Sequence, residues 1–193
     1  MEQSQLVVPL NLPDIELQIK PEYIEELIDL RNKETRQAFI GFTGKDLPPL
    51  ASEVFDKLGL TPCSWKINMF TSSALEIQKI HLDGDPEYPE KFRPFAINWV
   101  WGGRTVMEWF DYEPNNLPAA TEWGEFRYVE FNENNCKSLQ KMTLNGANLV
   151  NISYPHRVIN ASKQRRFCFS ICSAELLSWE EIKELCTINK LVR

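Results

Sequence analysis

The spacing of apolar residues changes character twice along the chain. From Pro21 to Gln37 (PEYIEELIDLRNKETRQ), Tyr23, Ile24, Leu27, Ile28 and Leu30 recur at helical intervals behind an opening proline. This predicts a helix whose apolar stripe packs on a sheet. A second, shorter helix is expected from Leu50 to Leu58, after Pro48 and Pro49 and stopped by Gly59. Near the other end, Ser178-Trp179-Glu180-Glu181 has the form of a capping box and opens a helix running towards Leu191.

Between these helices the pattern shortens into apolar or alternating runs separated by Asn, Gly and Pro. Eight strands are expected: Ser64 to Phe70, Leu75 to Leu82, Phe95 to Trp101, Thr105 to Phe110, Phe126 to Phe131, Ala147 to Ile152, His156 to Ile159 and Arg166 to Cys172. So many short strands fit a sandwich or barrel, and an antiparallel jelly roll stacks them as two sheets. The reading is one mainly β domain over residues 1–193. It has a helical part at about 1–60, a β core at about 64–173 and a C-terminal helix at about 178–191.

Composition adds little to that picture and excludes some functions. Apolar residues make up 43% and charged residues 25%, which is ordinary for a globular domain. Twenty-seven acidic against twenty-one basic residues give a net charge of -6, which repels phosphate backbones and makes nucleic acid an unexpected partner. Lys163, Arg165 and Arg166 cluster, and the plain reading of that cluster is a solvated turn. No apolar run approaches the roughly 18 residues of a spanning helix, and the residues after Met1 lack a signal-peptide pattern, so no membrane association and a cytoplasmic location are expected. Five cysteines without a CxxC pair read as reduced packing residues. No heptad pattern speaks to the oligomeric state.

The candidate chemistry rests on the two histidines. In His81-Leu82-Asp83 the first and third side chains of an extended strand share a face, so an imidazole and a carboxylate can reach one ion. His156 stands 75 positions later in Tyr154-Pro155-His156-Arg157-Val158, at a strand start that a jelly roll can bring beside the first pair. Two histidines and one carboxylate on one side of a metal leave positions open, as suits Fe(II) that must also bind a co-substrate and O2. A structural zinc site would be closed by four ligands.

The segments IHLDGD and PHRVINASKQRRFCFSI together resemble the Fe(II)- and 2-oxoglutarate-dependent oxygenases, whose pattern is His-x-Asp, a long gap, then His and an arginine about ten positions on. The resemblance runs from about Ile80 to Ile171, and FAINWVWGG, from Phe95 to Gly103, looks like the strand and turn that follow the first ligand pair in that family. It implies a double-stranded β-helix in which His81, Asp83 and His156 hold Fe(II) and an arginine binds the distal carboxylate of 2-oxoglutarate. Both Arg165 and Arg166 have a spacing found in the family, and they face opposite sides of a strand. Arg166 is preferred, because Cys168 and Ser170 then share its face, with Ser170 as a second donor, while Phe167, Phe169 and Ile171 pack outward. The implied reaction is hydroxylation of an amino acid, peptidyl residue or small metabolite, with release of succinate and CO2. The carboxylate of Asp83 speaks against halogenation, since related halogenases lose it.

Other polar residues carry less. Lys66, Asn68 and Asn98 can project into a cavity, though the plainer reading leaves them exposed or locally bonded. Trp99, Trp101 and Trp109 read as core before pocket, and the stretch from Gly84 to Pro94 as a loop over the metal. Two alternatives stand beside the oxygenase. A cupin-like metal enzyme without 2-oxoglutarate usually supplies more histidines, and a non-catalytic jelly-roll module would make no succinate. The prime substrate is not legible.

Overall fold

A computed structural model describes residues 5–33, 38–83, 92–112, 118, 120–123 and 126–193. In chain order these form β1 (Val7–Pro9), α1 (Pro21–Lys33), β2 (Ala38–Gly41), α2 (Pro49–Leu58), β3 (Pro62–Ser72), β4 (Ile80–Leu82), β5 (Phe95–Asp111), β6 (Ala120–Trp123), β7 (Phe126–Phe131), β8 (Lys137–Asn151), β9 (His156–Asn160), β10 (Arg166–Ser173) and α3 (Trp179–Ile188). All pairings between these strands are antiparallel.

Two strands are long enough to serve both sheets of a jelly roll. The first part of β5 pairs with β10 from Ile97 to Gly102, and its last part pairs with β9 from Thr105 to Trp109. β8 follows β5 on its other side from end to end. One sheet therefore runs β2-β3-β10-β5-β8-β1 and the other β8-β5-β9-β4-β7-β6. The four central strands of each, β3-β10-β5-β8 and β8-β5-β9-β4, form a double-stranded β-helix.

The runs expected as separate strands at 95–101 and 105–110 are thus one strand, and Gly102-Gly103 is no turn. The ladder with β8 shifts register between Val100 and Thr105, where β5 crosses from one sheet to the other. Glycine is needed there because the β9-β10 turn lies against the bend. A Cβ on Gly103 would sit 2.5 Å from Asn160 Oδ1 and 2.8 Å from the Gln164 carbonyl. Gly102 has φ +80 and would meet the Arg165 carbonyl. Gly103→Ala is expected to cost about 2 kcal/mol, read as a fall of roughly 4–8 °C in Tm.

The sheet bearing β3, β10 and the first half of β5 is apolar on its outer face and is covered by the helices. Ile67, Met69, Ile97, Trp99, Phe169 and Ile171 pack there with Leu27, Val54, Phe55, Ile182 and Cys186. Full burial of a side chain such as Phe169 is worth roughly 2–3 kcal/mol. α2 has Pro49 in its first turn and ends on Gly59 in the left-handed conformation. α3 carries the expected capping box, Ser178 accepting from the Glu181 amide and Glu181 from the Ser178 amide. In α1, Leu27 is buried and Leu30 lies out at 36% exposure, so the stripe is narrower than expected. Residues 34–37 of the expected helix lie outside the described residues.

Three strands escaped the sequence reading, and two of them, β1 and β2, interrupt the supposedly helical first part. They are short edge strands with too few residues to show a period. The expected strand from Leu75 shrinks to Ile80–Leu82, since Leu75 has φ 57 and Ile77 makes only a single bridge to Ile159. The cysteine reading agrees with the structure: all five are free and four are buried. No described helix is long and apolar enough to cross a membrane.

A carboxylate ties the end of β10 to the start of β3. Glu175 accepts from the Thr61 amide at 3.1 Å and from Ser173 Oγ. Although burial opposes its charge, these donors hold its pKa down at about 2, against an ordinary 4.5. A pKa lowered by folding contributes stability above the unfolded value and loses it as pH falls through the folded one. Acid unfolding between about pH 4.5 and 2 should therefore weaken in Glu175→Gln, checked by thermal melts at each pH.

Candidate metal centre and its cavity

His81 and His156 sit directly opposite one another on β4 and β9, with ring centroids 4.6 Å apart. Asp83 follows the end of β4 and turns back between them, its Oδ1 3.5 Å from His81 Nε2 and its Oδ2 3.6 Å from His156 Nε2. The three side chains offer ligand atoms within 4.8 Å of one another. The two positions furthest apart in sequence are joined by one strand pairing, which the sequence could only suggest.

Both rings are held in the same way. His81 Nδ1 lies 2.9 Å from the Lys79 carbonyl and His156 Nδ1 lies 3.0 Å from the Tyr154 carbonyl. A carbonyl accepts only from a protonated nitrogen, so each Nδ1 carries the proton and each neutral ring turns an Nε2 lone pair towards Asp83. That is the tautomer a metal ligand needs.

The electrostatics fit a cation. Burial and the neighbouring His81 ring push the His156 pKa down to about 4, so this imidazole is neutral at physiological pH. Burial also opposes charge on His81, but the Asp83 carboxylate beside it outweighs this and raises its pKa. Burial works against ionised Asp83 as well, yet the His81 contact and the charges around it hold its carboxyl far below the usual range. Its side chain keeps 38% exposure, so solvent screens part of that effect. The carboxylate and the two imidazoles thus converge on one small space, where a cation would compete with protons for the same atoms.

Among the described residues the donor set ends at three, and it opens onto a cavity of about 410 Å³ between the two sheets. A closed structural zinc site would need a fourth ligand, whereas an open face suits a metal that binds further molecules. Cys168 and Cys172 also line the cavity, but burial raises both thiols, Cys172 to about 12, so they remain protonated and make poor ligands.

The strand register orders the cavity by depth. At the end that carries the three-residue cluster, His81 pairs with His156 and His156 with Trp109. Further in, Val158 pairs with Met107, and the Gln78 amide donates to the Val158 carbonyl. At the deep end Thr105 pairs with Asn160, and Arg166 Nε donates to Thr105 Oγ1 at 3.0 Å. Arg166 is buried and lines the cavity. A guanidinium thus stands at one end of a pocket and the three-ligand cluster at the other.

Arg165 does not share this cavity. It lies on the opposite face of the chain, where its guanidinium donates to Asn32 Oδ1 on α1 at 3.3 Å. The alternation expected for β10 holds, with Arg166, Cys168 and Ser170 lining the cavity and Phe167, Phe169 and Ile171 packed towards the helices. The basic cluster is therefore no uniform solvated turn, since Arg166 is one of the most buried polar residues.

Lys66, Asn68 and Asn98 line the cavity too, against their plainer reading. Asn68, Ser170 and Asn98 form one row across β3, β10 and β5. Trp99 and Trp109 are fully buried and Trp101 stacks on Phe167, in keeping with core packing. Sequence reasoning missed Thr105 and Gln78. Thr105 had no signal beyond its strand. Gln78 has both amide atoms buried without a partner among the described residues, which only the structure can reveal. Residues 84–91 of the expected loop over the metal lie outside the described residues.

Neither a protein-family model nor a curated protein sequence matches the chain. Solved structures with some likeness include an oxalate oxidase in complex with the substrate analogue glycolate, at 12% identity over 73% of this chain and TM-score 0.38. The chain spans 53% of that protein's length. A cupin superfamily protein from Desulfitobacterium hafniense is 14% identical, covering 86% of this chain and 96% of its own, with TM-score 0.39. A vicilin from Solanum melongena is 11% identical over 75% of this chain and 30% of its own, with TM-score 0.40. These likenesses carry nothing about activity, and the architecture stands on the strand order described above.

Proposed function

We propose that this chain is an Fe(II)- and 2-oxoglutarate-dependent oxygenase that hydroxylates an amino acid, a peptidyl residue or a small metabolite. The observation that carries this reading is Arg166. It shares one cavity with the His81, Asp83 and His156 cluster, at the opposite end, and is oriented by Thr105. Carboxylate recognition suits arginine, whose planar fork can grip both oxygens and stays charged at any working pH.

In this reading His81, Asp83 and His156 hold the iron, and Arg166 holds the distal carboxylate of 2-oxoglutarate, with Ser170 as a further donor on the same face. When bound, iron and 2-oxoglutarate supply the oxidising chemistry: O2 is consumed, one oxygen atom leaves in succinate alongside CO2, and the other enters the prime substrate. The chain's own contribution is positional. The Lys79 and Tyr154 carbonyls fix the imidazole tautomers, Thr105 aims the guanidinium, and Met107, Leu144 and Val158 line an apolar wall that keeps water from the reacting centre.

The test is anaerobic titration of the metal-free protein with Fe(II) and then 2-oxoglutarate, monitoring the visible band of a chelated keto acid. Appearance of the band, followed by succinate formation once O2 is admitted, supports the oxygenase. Iron binding without the band points to a metal protein of another kind. No iron binding points to a non-catalytic jelly-roll module.

A further inference from the structure

We propose that Lys66 and Asn98 form a second recognition point in this cavity, for a prime substrate carrying a carboxylate next to a hydrogen-bond donor. An α-amino acid and the C-terminus of a peptide both present that pair. The proposal rests on the oxygenase reading for the name prime substrate, but its observations are separate.

Three lysine or arginine side chains line the cavity, and Lys79 among them is paired with Glu130, which leaves Lys66 and Arg166, set at different levels. Arg166 lies at the start of β10, and Ser170, four residues on, pairs with Asn68 of β3. Lys66 stands two residues before Asn68, so the two cationic residues are separated by six strand positions, or ~20 Å of backbone. Lys66 lines the same cavity as Asp83, His156 and Cys172, and along the β3-β10 ladder it lies beyond Ser170, on the side away from Arg166. A five-carbon diacid running inward from the metal to Arg166 leaves Lys66 on its other side, where a substrate must approach.

Among the described residues Lys66 has no carboxylate in a salt bridge, and its contact is the Trp65 ring, 5.9 Å to the centroid. The acids nearby are engaged elsewhere: Asp83 faces the two imidazoles, and Glu130 bonds Lys79 at 2.6 Å and Tyr128 at 3.1 Å. A cation in a concave, partly apolar site that has no salt-bridge partner among the described residues favours an anionic ligand.

Asn98 supplies the second half. Its Oδ1 is buried without a hydrogen-bond partner among the described residues, in the wall of the same cavity. A buried acceptor left unpaired is costly, and an N–H or O–H of a bound molecule would satisfy it. An anion for Lys66 and a donor for Asn98 are the two ends of one recognition element.

The test uses the Fe(II)- and 2-oxoglutarate-loaded protein without O2, titrated calorimetrically with L-amino acids and their C-terminal amides, and with short peptides whose C-termini are free or amidated. At least one acid is expected to bind, with its amide ~10-fold or more weaker. The peptide arm separates a free amino acid from a chain terminus. Lys66→Met should weaken the acid by a similar factor while leaving the 2-oxoglutarate band and affinity unchanged, and Lys66→Arg should restore binding. Amides binding as well as acids, no acid binding at all, or Lys66→Met weakening 2-oxoglutarate instead would each overturn the proposal. If the wild-type protein forms no keto-acid band, the oxygenase reading fails; the acid and amide comparison on Zn(II)-loaded protein then decides Lys66 alone.

Discussion

His156→Ala is expected to abolish iron binding and all succinate formation while the fold survives. The imidazole is one of three ligands, and its Nε2 has no substitute among the described residues of the cavity wall. Loss even of an outer partner of a metal ligand costs ~10–100-fold in affinity, so loss of a ligand should exceed ~100-fold, or about 2.7 kcal/mol. The substitution leaves a small void beside Asp83 and frees the Tyr154 carbonyl, which costs stability without breaking the β4-β9 pairing. Fe(II) titration of the metal-free variant checks the first claim, and far-ultraviolet circular dichroism the second. An unchanged titration would remove His156 from the site.

Arg166→Leu should separate the co-substrate from the metal. Iron affinity is expected to hold, because the arginine lies at the far end of the cavity, beside Thr105. The affinity for 2-oxoglutarate should fall by about 30–1000-fold, the range for truncating one partner of a buried, hydrogen-bonded charge pair at ~2–4 kcal/mol. Arg165→Ala supplies the contrast: it loses a surface bond to Asn32 and should leave 2-oxoglutarate binding unchanged. If the two variants behave alike, the deep end of the cavity is not the carboxylate site.

Several features could be read directly from local pattern. The period-2 alternation of β10 divides Arg166, Cys168 and Ser170 from Phe167, Phe169 and Ile171 whatever the partner strands are, because successive side chains of any strand oppose. His81 and Asp83 do meet, although β4 ends at Leu82 and Asp83 lies just beyond the strand that the alternation rule describes. Helix ends were legible because capping is local: Gly59 ends α2, and Ser178 and Glu181 open α3.

Long-range register was not legible. β5 runs unbroken through Gly102-Gly103, which look like a turn until the β9-β10 turn is seen resting on them. The short β1 and β2 exist because β8 and β3 offer free edges, a property of the neighbours and not of their own residues. Leu75 to Lys79 alternate like a strand yet pair little, since β9 meets that stretch through the Ile77 bridge alone.

What the sequence by itself determined is the chemistry in stock: two histidines, one well-spaced aspartate, an arginine on the polar face of a strand, and helices capped at both ends. The tertiary structure decided which of these meet. It set His81 against His156, turned Arg166 into the cavity and Arg165 onto α1, and brought Lys66 and Asn98 to one wall. The physical reason is that strand periodicity sorts side chains into two faces but carries no information on which face will be enclosed. Enclosure follows from sheet pairing between distant segments, and a strand cannot encode its partner's register in its own alternation.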